Sequence, residues 1–230
     1  MGQAPVDDRD GPDGLIDTTR QAAMKLYSSP YSPYVRKVLV TAHELGLADR
    51  FELIEATPQN VIEIVSPDNP LGQIPTLVLE DGTALYDSPV VCEYLDTLHE
   101  GDRLIPPEGP ARWRALRLQA LGDAMLDQAI ALFIDQKRDE AQRSEPLLER
   151  RRGRLKRCLA ALEQDTAALD RELTIGPIAV ACALGYLDFR LEPEFWRPDQ
   201  PTLTAWFDRF AARPSMQATP HPDPDAPRQG

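Results

Sequence analysis

The sequence lacks the features that identify several classes of protein. It has no apolar run long enough to cross a bilayer, so no membrane-spanning segment is expected. Its three cysteines, Cys92, Cys158 and Cys182, show no Cys-x-x-Cys spacing, which favours free core thiols over a redox pair. Basic residues are in deficit: 25 Lys and Arg stand against 37 Asp and Glu, for a net charge of −12. That balance argues against binding to nucleic acid or to an anionic membrane.

Histidine is equally scarce. His43, His99 and His221 lie far apart and have no acidic or cysteine partners at metal-ligand spacing, so we predict no metal site. No glycine-rich nucleotide loop and no Ser-His-Asp hydrolase pattern is present. The beginning of the chain is acidic, unlike a secretory leader, and together these absences predict a cytoplasmic protein.

Proline and compositional shifts divide the chain. Residues 1–23 have no periodicity and are predicted to be a disordered or tag-like tail. Residues 24–101 alternate strand and helix signals, and residues 102–110 form a proline-rich linker. Residues 111–215 have only helical periodicity, and residues 216–230, with proline at alternate positions near the end, are predicted to be an extended tail.

The first half has the element order of a thioredoxin-like domain, with parallel strands joined by a crossover helix and then an antiparallel pair. The residues themselves place only a loop, through Thr57 and Pro58, between the second and third strands. Asp81-Gly82 predicts a hairpin turn. The predicted elements are strand Met24–Tyr27, helix Pro33–Leu45, strand Phe51–Ile54, strands Thr76–Leu79 and Ala84–Tyr86, and helix Pro89–Leu98.

The second half is predicted to be all α-helical. Apolar residues recur at helical spacing in each segment. The third helix is apolar on every side and should be buried completely. The predicted helices are Arg112–Asp139, one carrying Leu148 to Leu169, Pro177–Arg190 and Pro201–Arg213.

The turn after the first strand is the most informative feature. Ser32 and Pro33 occupy the N-cap and first helical positions, and such a helix start favours an anion. Thioredoxin-like redox proteins carry Cys-x-x-Cys in this turn, but here Ser32 and Val35 take those two places. An activated thiol must therefore come from a ligand. Taken by itself, Ser32 favours a simple helix cap.

Two further groups accompany this turn. A cis Ile74–Pro75 bond would present the Ile74 N–H and C=O as a two-point clamp for a peptide-like backbone, although spacing alone leaves cis and trans open. Ser88 is predicted to cap the next helix, with Pro89 in its first turn. Ser88 and Asp87 together match the carboxylate and ammonium of an amino-acid head group.

In combination, these residues resemble the cytosolic glutathione S-transferases, and most closely the bacterial members with a serine in the first helix turn. The resemblance covers roughly residues 24–215. It rests on Ser32 to Lys37, Asn69 to Pro75 and Asp87-Ser88, and on the apolar segment from Ala181 to Arg190. It implies a β-α-β-α-β-β-α thioredoxin-like domain followed by an α-helical domain.

The resemblance also implies a role for each group. The Ile74–Pro75 bond would be cis, with Ile74 pairing with the cysteinyl backbone of glutathione, and Asp87 and Ser88 would hold the γ-glutamyl group. Gln73 matches a position near the ligand backbone or glycyl end, and the Ser32 hydroxyl would face the sulfur. The implied protein is a homodimeric glutathione transferase in detoxification, with glutathione as co-substrate, no metal, and a peroxidase side activity.

Three expectations complete the sequence hypothesis. Ser29 is an alternative donor to the sulfur on the same turn. The electrophile pocket is expected between Tyr31, Tyr34 and the first long helix, which offers Trp113 and Arg117 together with Arg114 and Asp123. The competing hypothesis is a non-catalytic binding or regulatory protein that keeps the fold.

Overall fold

The computed structural model of the chain describes residues 24–191 and 193–223. It confirms a thioredoxin-like domain followed by a helical domain. The first domain contains β1 Met24–Ser28, α1 Pro33–Glu44, β2 Phe51–Glu55, α2 Val61–Val65, β3 Thr76–Val78, β4 Ala84–Leu85 and α3 Ser88–Leu95. The second contains α4 Gly109–Gln136, α5 Glu145–Gln164, α6 Ile175–Leu191, α7 Pro201–Ala211 and α8 Pro214–Gln217.

The sheet has the strand order β2-β1-β3-β4. β1 runs parallel to β2, as a crossover through α1 requires, and antiparallel to β3. β4 returns antiparallel to β3 through the Asp81-Gly82 turn, where Gly82 has φ +85°. β1 therefore lies inside the sheet, and its last residues lead directly into the turn that carries Ser32.

The core of the first domain lies on the face of the sheet covered by α1 and α3. Leu26 of β1 and Leu77 of β3 are fully buried there, against Val38 of α1 and Val91 of α3. Alternate β1 residues point into this core, as the period of a strand requires. This packing fixes the N-termini of α1 and α3 relative to the strand ends.

The second domain is organised by the close crossing of α4 and α6. Every residue of α6 from Ile175 to Leu187 is buried, which confirms the prediction of an enclosed helix. Glycine is required at the crossing, since a Cβ on Gly122 would lie 2.7 Å from the Ala179 carbonyl carbon. A Cβ on Gly176 would lie 2.7 Å from the Cβ of Leu118. α6 thus forms a rigid wall for the residues at its C-terminal end.

Several element boundaries differ from the prediction. The loop after β2 contains the short helix α2, whose five residues are too few for a clear periodicity. α5 ends at Gln164, so Leu169 lies beyond a 3₁₀ turn, although it is buried. α4 begins at Gly109, inside the predicted linker of residues 102–110.

The predicted extended tail, residues 216–230, is wrong over its first part. Met216 belongs to α8 and is buried, and Thr219 is buried as well. The His221 ring stacks on Phe189 at 4.6 Å between centroids. Apolar contact therefore continues past the predicted end of the helical domain, residues 111–215. Residues 224–230 and the predicted N-terminal tail, residues 1–23, lie outside the described residues.

Across the described residues, no helix is both long and apolar enough to cross a membrane.

Candidate functional site

A cleft of about 930 Å³ lies between the two domains. The first domain contributes the β1–α1 turn, the loop before β3 and the start of α3. The second contributes one face of α4 and a residue of α6. The lining residues include these predicted ones: Ser29, Tyr31, Ser32, Tyr34, Gln73, Ile74, Pro75 and Asp87.

Ser32 caps α1 as predicted. Its hydroxyl oxygen accepts a hydrogen bond from the Val35 N–H at 3.3 Å, and Pro33 occupies the first helical position. The hydroxyl hydrogen is not required by this bond and can be donated into the cleft. Ser29, on the same turn, accepts the Tyr31 N–H at its side-chain oxygen and the Ser32 N–H at its carbonyl.

The start of α1 also leaves a backbone donor free. Pro33 has no N–H, and no hydrogen bond within the described residues uses the Tyr34 N–H. The Tyr34 side chain is engaged elsewhere, because its hydroxyl donates to the Asp127 carboxylate of α4. Burial and that carboxylate raise the pKa of Tyr34 well above its ordinary value. The phenol therefore keeps its proton, and the donors that remain for a sulfur on this turn are the hydroxyls of Ser32 and Ser29 and the Tyr34 amide.

The Ile74–Pro75 bond is cis, as the resemblance implied. No hydrogen bond within the described part of the chain uses the Ile74 N–H or C=O. Ile74 lies on the wall of the cleft just before β3. An unpaired N–H and C=O on one residue are what a peptide-like backbone needs in order to pair as an added strand.

Asn69 holds this clamp loop in shape, a role that the sequence analysis did not assign. It is buried, and its amide donates to the Gln73 carbonyl at 3.1 Å and to the Thr76 hydroxyl at 2.9 Å. Its side-chain oxygen accepts the Leu71 N–H. Gly72, with φ +58°, allows the chain to reverse inside this network. The Asn-Pro-x-Gly pattern of residues 69–72 was the sequence signal that could have identified this role of Asn69.

Asp87 and Ser88 lie at the start of α3, but their capping roles differ from the prediction. Asp87 is the N-cap and accepts the Ser88 N–H, and Ser88 is the first helical residue. The Tyr86–Asp87 bond is also cis. The Ser88 hydroxyl oxygen is buried and has no hydrogen-bond partner among the described residues. The exposed Asp87 carboxylate lines the cleft and fits the ammonium of an amino-acid head group, whereas the predicted site residue Ser88 is fully buried and is not among the lining residues.

A buried ion pair lies next to this head-group region. The Lys37 ammonium is fully buried and donates to both Asp123 oxygens, at 2.6 and 2.7 Å. Burial raises the pKa of Asp123, and the carboxylates of Asp87 and Asp127 raise it further against the opposing effect of Lys37. Three carboxylates and one ammonium give this end of the cleft a negative charge, which suits a cationic ligand group.

The structure does not bring all of the predicted residues to the cleft. Trp113 is 68% exposed on the first turns of α4. Arg117, with Arg114, lines a separate crevice of about 80 Å³ near Asp165 and Thr174. α4 rises about 1.5 Å per residue, so the ten positions from 113 to 123 place Trp113 about 15 Å away along the helix.

The cleft-facing residues of α4 lie further along the helix, at helical spacing. Residues three and four positions apart share one face of an α-helix, and this spacing was the sequence signal that could have identified the lining residues of α4. Tyr186 of α6 closes the same wall. The lining residues of this wall are Asp123, Asp127, Ile130, Ala131, Ile134 and Tyr186.

The protein's own thiols are unsuited to chemistry. Cys92, Cys158 and Cys182 are free, as predicted. Burial raises the pKa of Cys92 to about 11 and that of Cys182 to about 12. Neither thiol can supply a thiolate at neutral pH. Within the described residues, no group of three or more His, Cys, Asp or Glu side chains could hold a metal ion.

The chain matches two family models. The glutathione S-transferase N-terminal domain matches residues 31–98, and the glutathione S-transferase C-terminal domain matches residues 121–214. An Escherichia coli K12 protein, described as the uncharacterized GST-like protein YibF, is 34% identical over 202 residues. That alignment covers 86% of this chain and 99% of the relative.

Solved structures show the same similarity. A glutathione transferase family member from Pseudomonas fluorescens Pf-5, with bound glutathione, has a TM-score of 0.84 and 43% identity, covering 87% of this chain and all of that one. A second structure from that organism contains S-(propanoic acid)-glutathione, with a TM-score of 0.79, 44% identity, and coverage of 86% and 100%. A glutathione S-transferase from Methylobacillus flagellatus KT with glutathione bound has 33% identity and a TM-score of 0.76, and covers 86% and 99%.

Proposed function

The chain belongs to the glutathione S-transferase family, and from that premise we propose that it is a glutathione transferase with a serine-activated thiolate. Glutathione would lie along the first domain. Its thiolate would attack a small electrophile or a hydroperoxide held against the helical domain. The relatives solved with bound glutathione support this assignment.

One observation carries the proposal: the Ser32 hydroxyl, the unpaired backbone groups of Ile74 and the exposed Asp87 carboxylate line a single cleft. Asp87 would meet the γ-glutamyl group, whereas Ser88, predicted beside it, is fully buried and is not among the lining residues. The Ile74 N–H and C=O are free for the cysteinyl backbone. Ser32 is oriented for the sulfur, and Gln73 is exposed for the glycyl end.

The chemistry follows from the acidity of the thiol. A free thiol has a pKa of about 8.5, so only a few per cent is thiolate at neutral pH. A hydrogen bond from Ser32 and the positive end of α1 would lower that pKa by about one to two units, at about 1.4 kcal/mol each. Ser32 acts as a donor and gives up no proton. The thiol proton goes to solvent, and the new carbon–sulfur bond forms as the leaving group departs.

Substituting the serine tests the mechanism. We expect Ser32→Ala to lower kcat for an activated aryl halide by about ten- to a hundredfold, since one hydrogen bond to a charged group contributes roughly 1.5–3 kcal/mol. Binding to immobilised glutathione should persist. Ser29→Ala is the matched control and should leave kcat within about twofold. The reverse order of effects would assign the donor role to Ser29.

The competing hypothesis, a non-catalytic binding protein, makes a different prediction. Such a protein would bind glutathione but turn over none of a broad panel of aryl halides, unsaturated carbonyls and hydroperoxides. Ser32→Cys tests the geometry without turnover: incubated with oxidised glutathione, the new thiolate should attack the disulfide, release one glutathione and leave a mixed disulfide detectable by mass. Failure to trap glutathione would place the residue 32 side chain away from that sulfur.

We further propose a homodimer in the cytoplasm. Val90 of α3 and Trp113 of α4 are 46% and 68% exposed, and an Arg112–Glu93 ion pair joins the two helices at this surface. Large exposed apolar side chains on adjacent helices support an interface there. The three free cysteines support a reducing compartment. A role in detoxification would follow from the same activity.

A further inference from the structure

The end of the cleft away from the glutathione head group is bordered by an arginine. We call this the electrophile end and define it by Tyr31, Ile130, Ile134 and Tyr186. Arg190, in the last turn of α6, lies against it. Its guanidinium carbon lies 5.6 Å from the Tyr31 ring centroid, 4.5 Å from that of Phe133 and 3.9 Å from that of Phe189.

Arg190 has no acidic partner among the described residues. Its Nε is buried without a hydrogen-bond partner. Its polar neighbour is the Tyr186 hydroxyl. Arg197 shows the contrast, since it is partly buried between Asp188 and Asp208 with ion-pair distances of 2.5 and 2.8 Å. A structural arginine in this domain is neutralised, whereas Arg190 is not.

The aromatic contacts enclose the guanidinium of Arg190 and its Nε is buried, so an anion would have to meet its two terminal nitrogens. Rings packed over the plane of an arginine interact with its face, and the N–H donors point outward in that plane. Those in-plane donors are what a carboxylate binds, often through two parallel hydrogen bonds. The three rings therefore hold the cation in place, and an anion would bind to its terminal N–H groups beside the Tyr186 hydroxyl.

The local potential supports an anionic partner. Lys137 lies 4.3 Å from the centroid of the same Phe133 ring and, like Arg190, has no ion pair within the described residues. The two cations meet at one ring in a chain with a net charge of −12. The head-group end, by contrast, holds Asp87, Asp123 and Asp127. The head-group end is thus acidic, whereas Arg190, with the exposed Lys137 beyond it, lies against the opposite end.

The distance to the reacting sulfur limits the size of the substrate. Tyr31 precedes Ser32, and consecutive Cα atoms are about 3.8 Å apart. An anion bound at Arg190 therefore lies about one side chain from the turn that would hold the sulfur. Contact between Arg190 and Tyr31, the neighbour of Ser32, favours an anionic group close to the carbon that is attacked.

We propose that Arg190 binds a carboxylate on the second substrate, so that the preferred electrophiles are small molecules carrying a carboxylate close to the reactive carbon. This inference rests on the proposed function and adds the substrate class. With a halogenated carboxylate, the thiolate forms a carbon–sulfur bond and the carbon–halogen bond breaks. Halide leaves with the bonding electrons, and the thiol proton goes to solvent.

The test compares the binding of two conjugates that differ in one charge: S-carboxyethyl-glutathione and its uncharged amide. We expect the protein to bind the carboxylate about tenfold more tightly, as one charge-assisted contact allows. Arg190→Gln should abolish this preference, and Arg190→Lys should keep part of it. Lys137→Gln is the matched control, because its cation lies on the same ring but is exposed to solvent, and the preference should survive.

Equal binding of the two conjugates by the unmodified protein would overturn the proposal, as would a preference that survives Arg190→Gln. Weaker binding of glutathione itself to Arg190→Gln would assign Arg190 to the glycyl carboxylate and overturn it too. The measurement needs no turnover, so catalytic failure remains distinguishable. A protein that binds the conjugates selectively yet transfers glutathione to no electrophile would refute the proposed reaction and leave the carboxylate site standing.

Discussion

The two ends of the cleft are built in different ways. The head-group end consists of short segments, Gln73 to Pro75 and Tyr86 to Asp87, and it offers backbone groups and a helix start. The electrophile end combines Tyr31, Ile130 and Tyr186, side chains from three separate elements. A ligand that stays the same, as glutathione would, can be recognised by backbone geometry that side-chain substitution hardly changes. A ligand that varies, as the electrophile would, needs side chains that can be exchanged.

The ends also differ in charge and are tied together by α1. Asp87 and Asp123 make the head-group end acidic, whereas Arg190 makes the electrophile end basic. Lys37 and Tyr34 on α1 bind Asp123 and Asp127 on α4. The helix that begins after Ser32 is therefore fixed to α4 in the second domain. The turn that contains Ser32 thus lies between the head-group end and the electrophile end.

The largest effect should come from breaking that tie. Lys37→Met leaves the Asp123 carboxylate buried near Asp87 and Asp127 without a cation. We expect the free energy of unfolding to fall by about 3–5 kcal/mol, because an unpaired buried charge costs more than the pair contributes. Denaturant unfolding measures the loss.

The control removes both charges. Lys37→Met combined with Asp123→Leu should recover most of the stability, since no uncompensated charge remains. A loss below about 1 kcal/mol in the single variant would mean that the pair behaves as a solvated surface pair. α1 would then be held to α4 by packing alone.

A smaller effect should come from a substitution that changes binding at the head-group end and leaves the electrophile end unchanged. Asp87→Asn removes a negative charge from the head-group end while keeping a side chain suited to the N-cap. We expect the Kd for glutathione to rise about ten- to a hundredfold, the equivalent of one charge-assisted bond at roughly 1.5–3 kcal/mol. The KM for the electrophile should stay nearly constant, and calorimetry with steady-state kinetics checks both.

Asp81→Asn is the matched control for that change. Asp81 accepts the Thr83 N–H in the exposed hairpin turn, away from the cleft. Its substitution should leave the Kd for glutathione unchanged. Equal losses in the two variants would point to a general effect of net charge on the tripeptide, and a normal Kd in Asp87→Asn would remove Asp87 from the head-group site.

The smallest effect concerns pH. Burial opposes ionisation of Glu44, but hydrogen bonds from Arg213 and Ser215 lower its pKa below the usual value. Because folding lowers the pKa of Glu44, its ionised carboxylate stabilises the fold at pH values above about 4.3, the ordinary pKa of a glutamate. That stabilisation is lost as the pH falls through the lower pKa that Glu44 has in the folded protein. Arg213 is 38% exposed, so the contribution should stay below about 1 kcal/mol.

The comparison is between the unmodified protein and Glu44→Gln across acidic pH. Their difference in free energy of unfolding should shrink as the pH falls below about 4.3. Glu44 accepts hydrogen bonds from Arg213 and Ser215 at the start of α8, and the chain after α8 leads to His221, which stacks on Phe189. Protonation of Glu44 should therefore weaken the packing beside the electrophile end first. A constant difference down to pH 3, roughly, would contradict this assignment.

Local features of the fold were predictable because their causes are local. The Ser32-Pro33 cap needs only neighbouring residues to form, and the Asp81-Gly82 turn needs only a positive φ. α2 was not predictable from its own residues, since five positions hold little periodicity. The packed start of the C-terminal tail was missed because its stability comes from Phe189 and other residues far away in the sequence.

The site divides in the same way. Ile74, Asp87 and Ser32 were predicted as site residues, and all three line the cleft. Trp113 and Arg117 were assigned to it because they lie on the correct helix, but they occupy the wrong turns of that helix. Lys37 shows the reverse error: in the sequence it is an ordinary charged residue of an amphipathic helix, and it is fully buried.

The sequence by itself determined the domain order and the capped turn at Ser32, since these depend on residues within one or two turns of chain, and it left the isomer of the Ile74–Pro75 bond open. Only the tertiary structure decided that Lys37 is buried against Asp123 and that Arg190 lies among aromatic rings without an acid. The reason is physical: the cost and use of a charge depend on the solvent and partners around it, and folding brings those partners from distant parts of the chain.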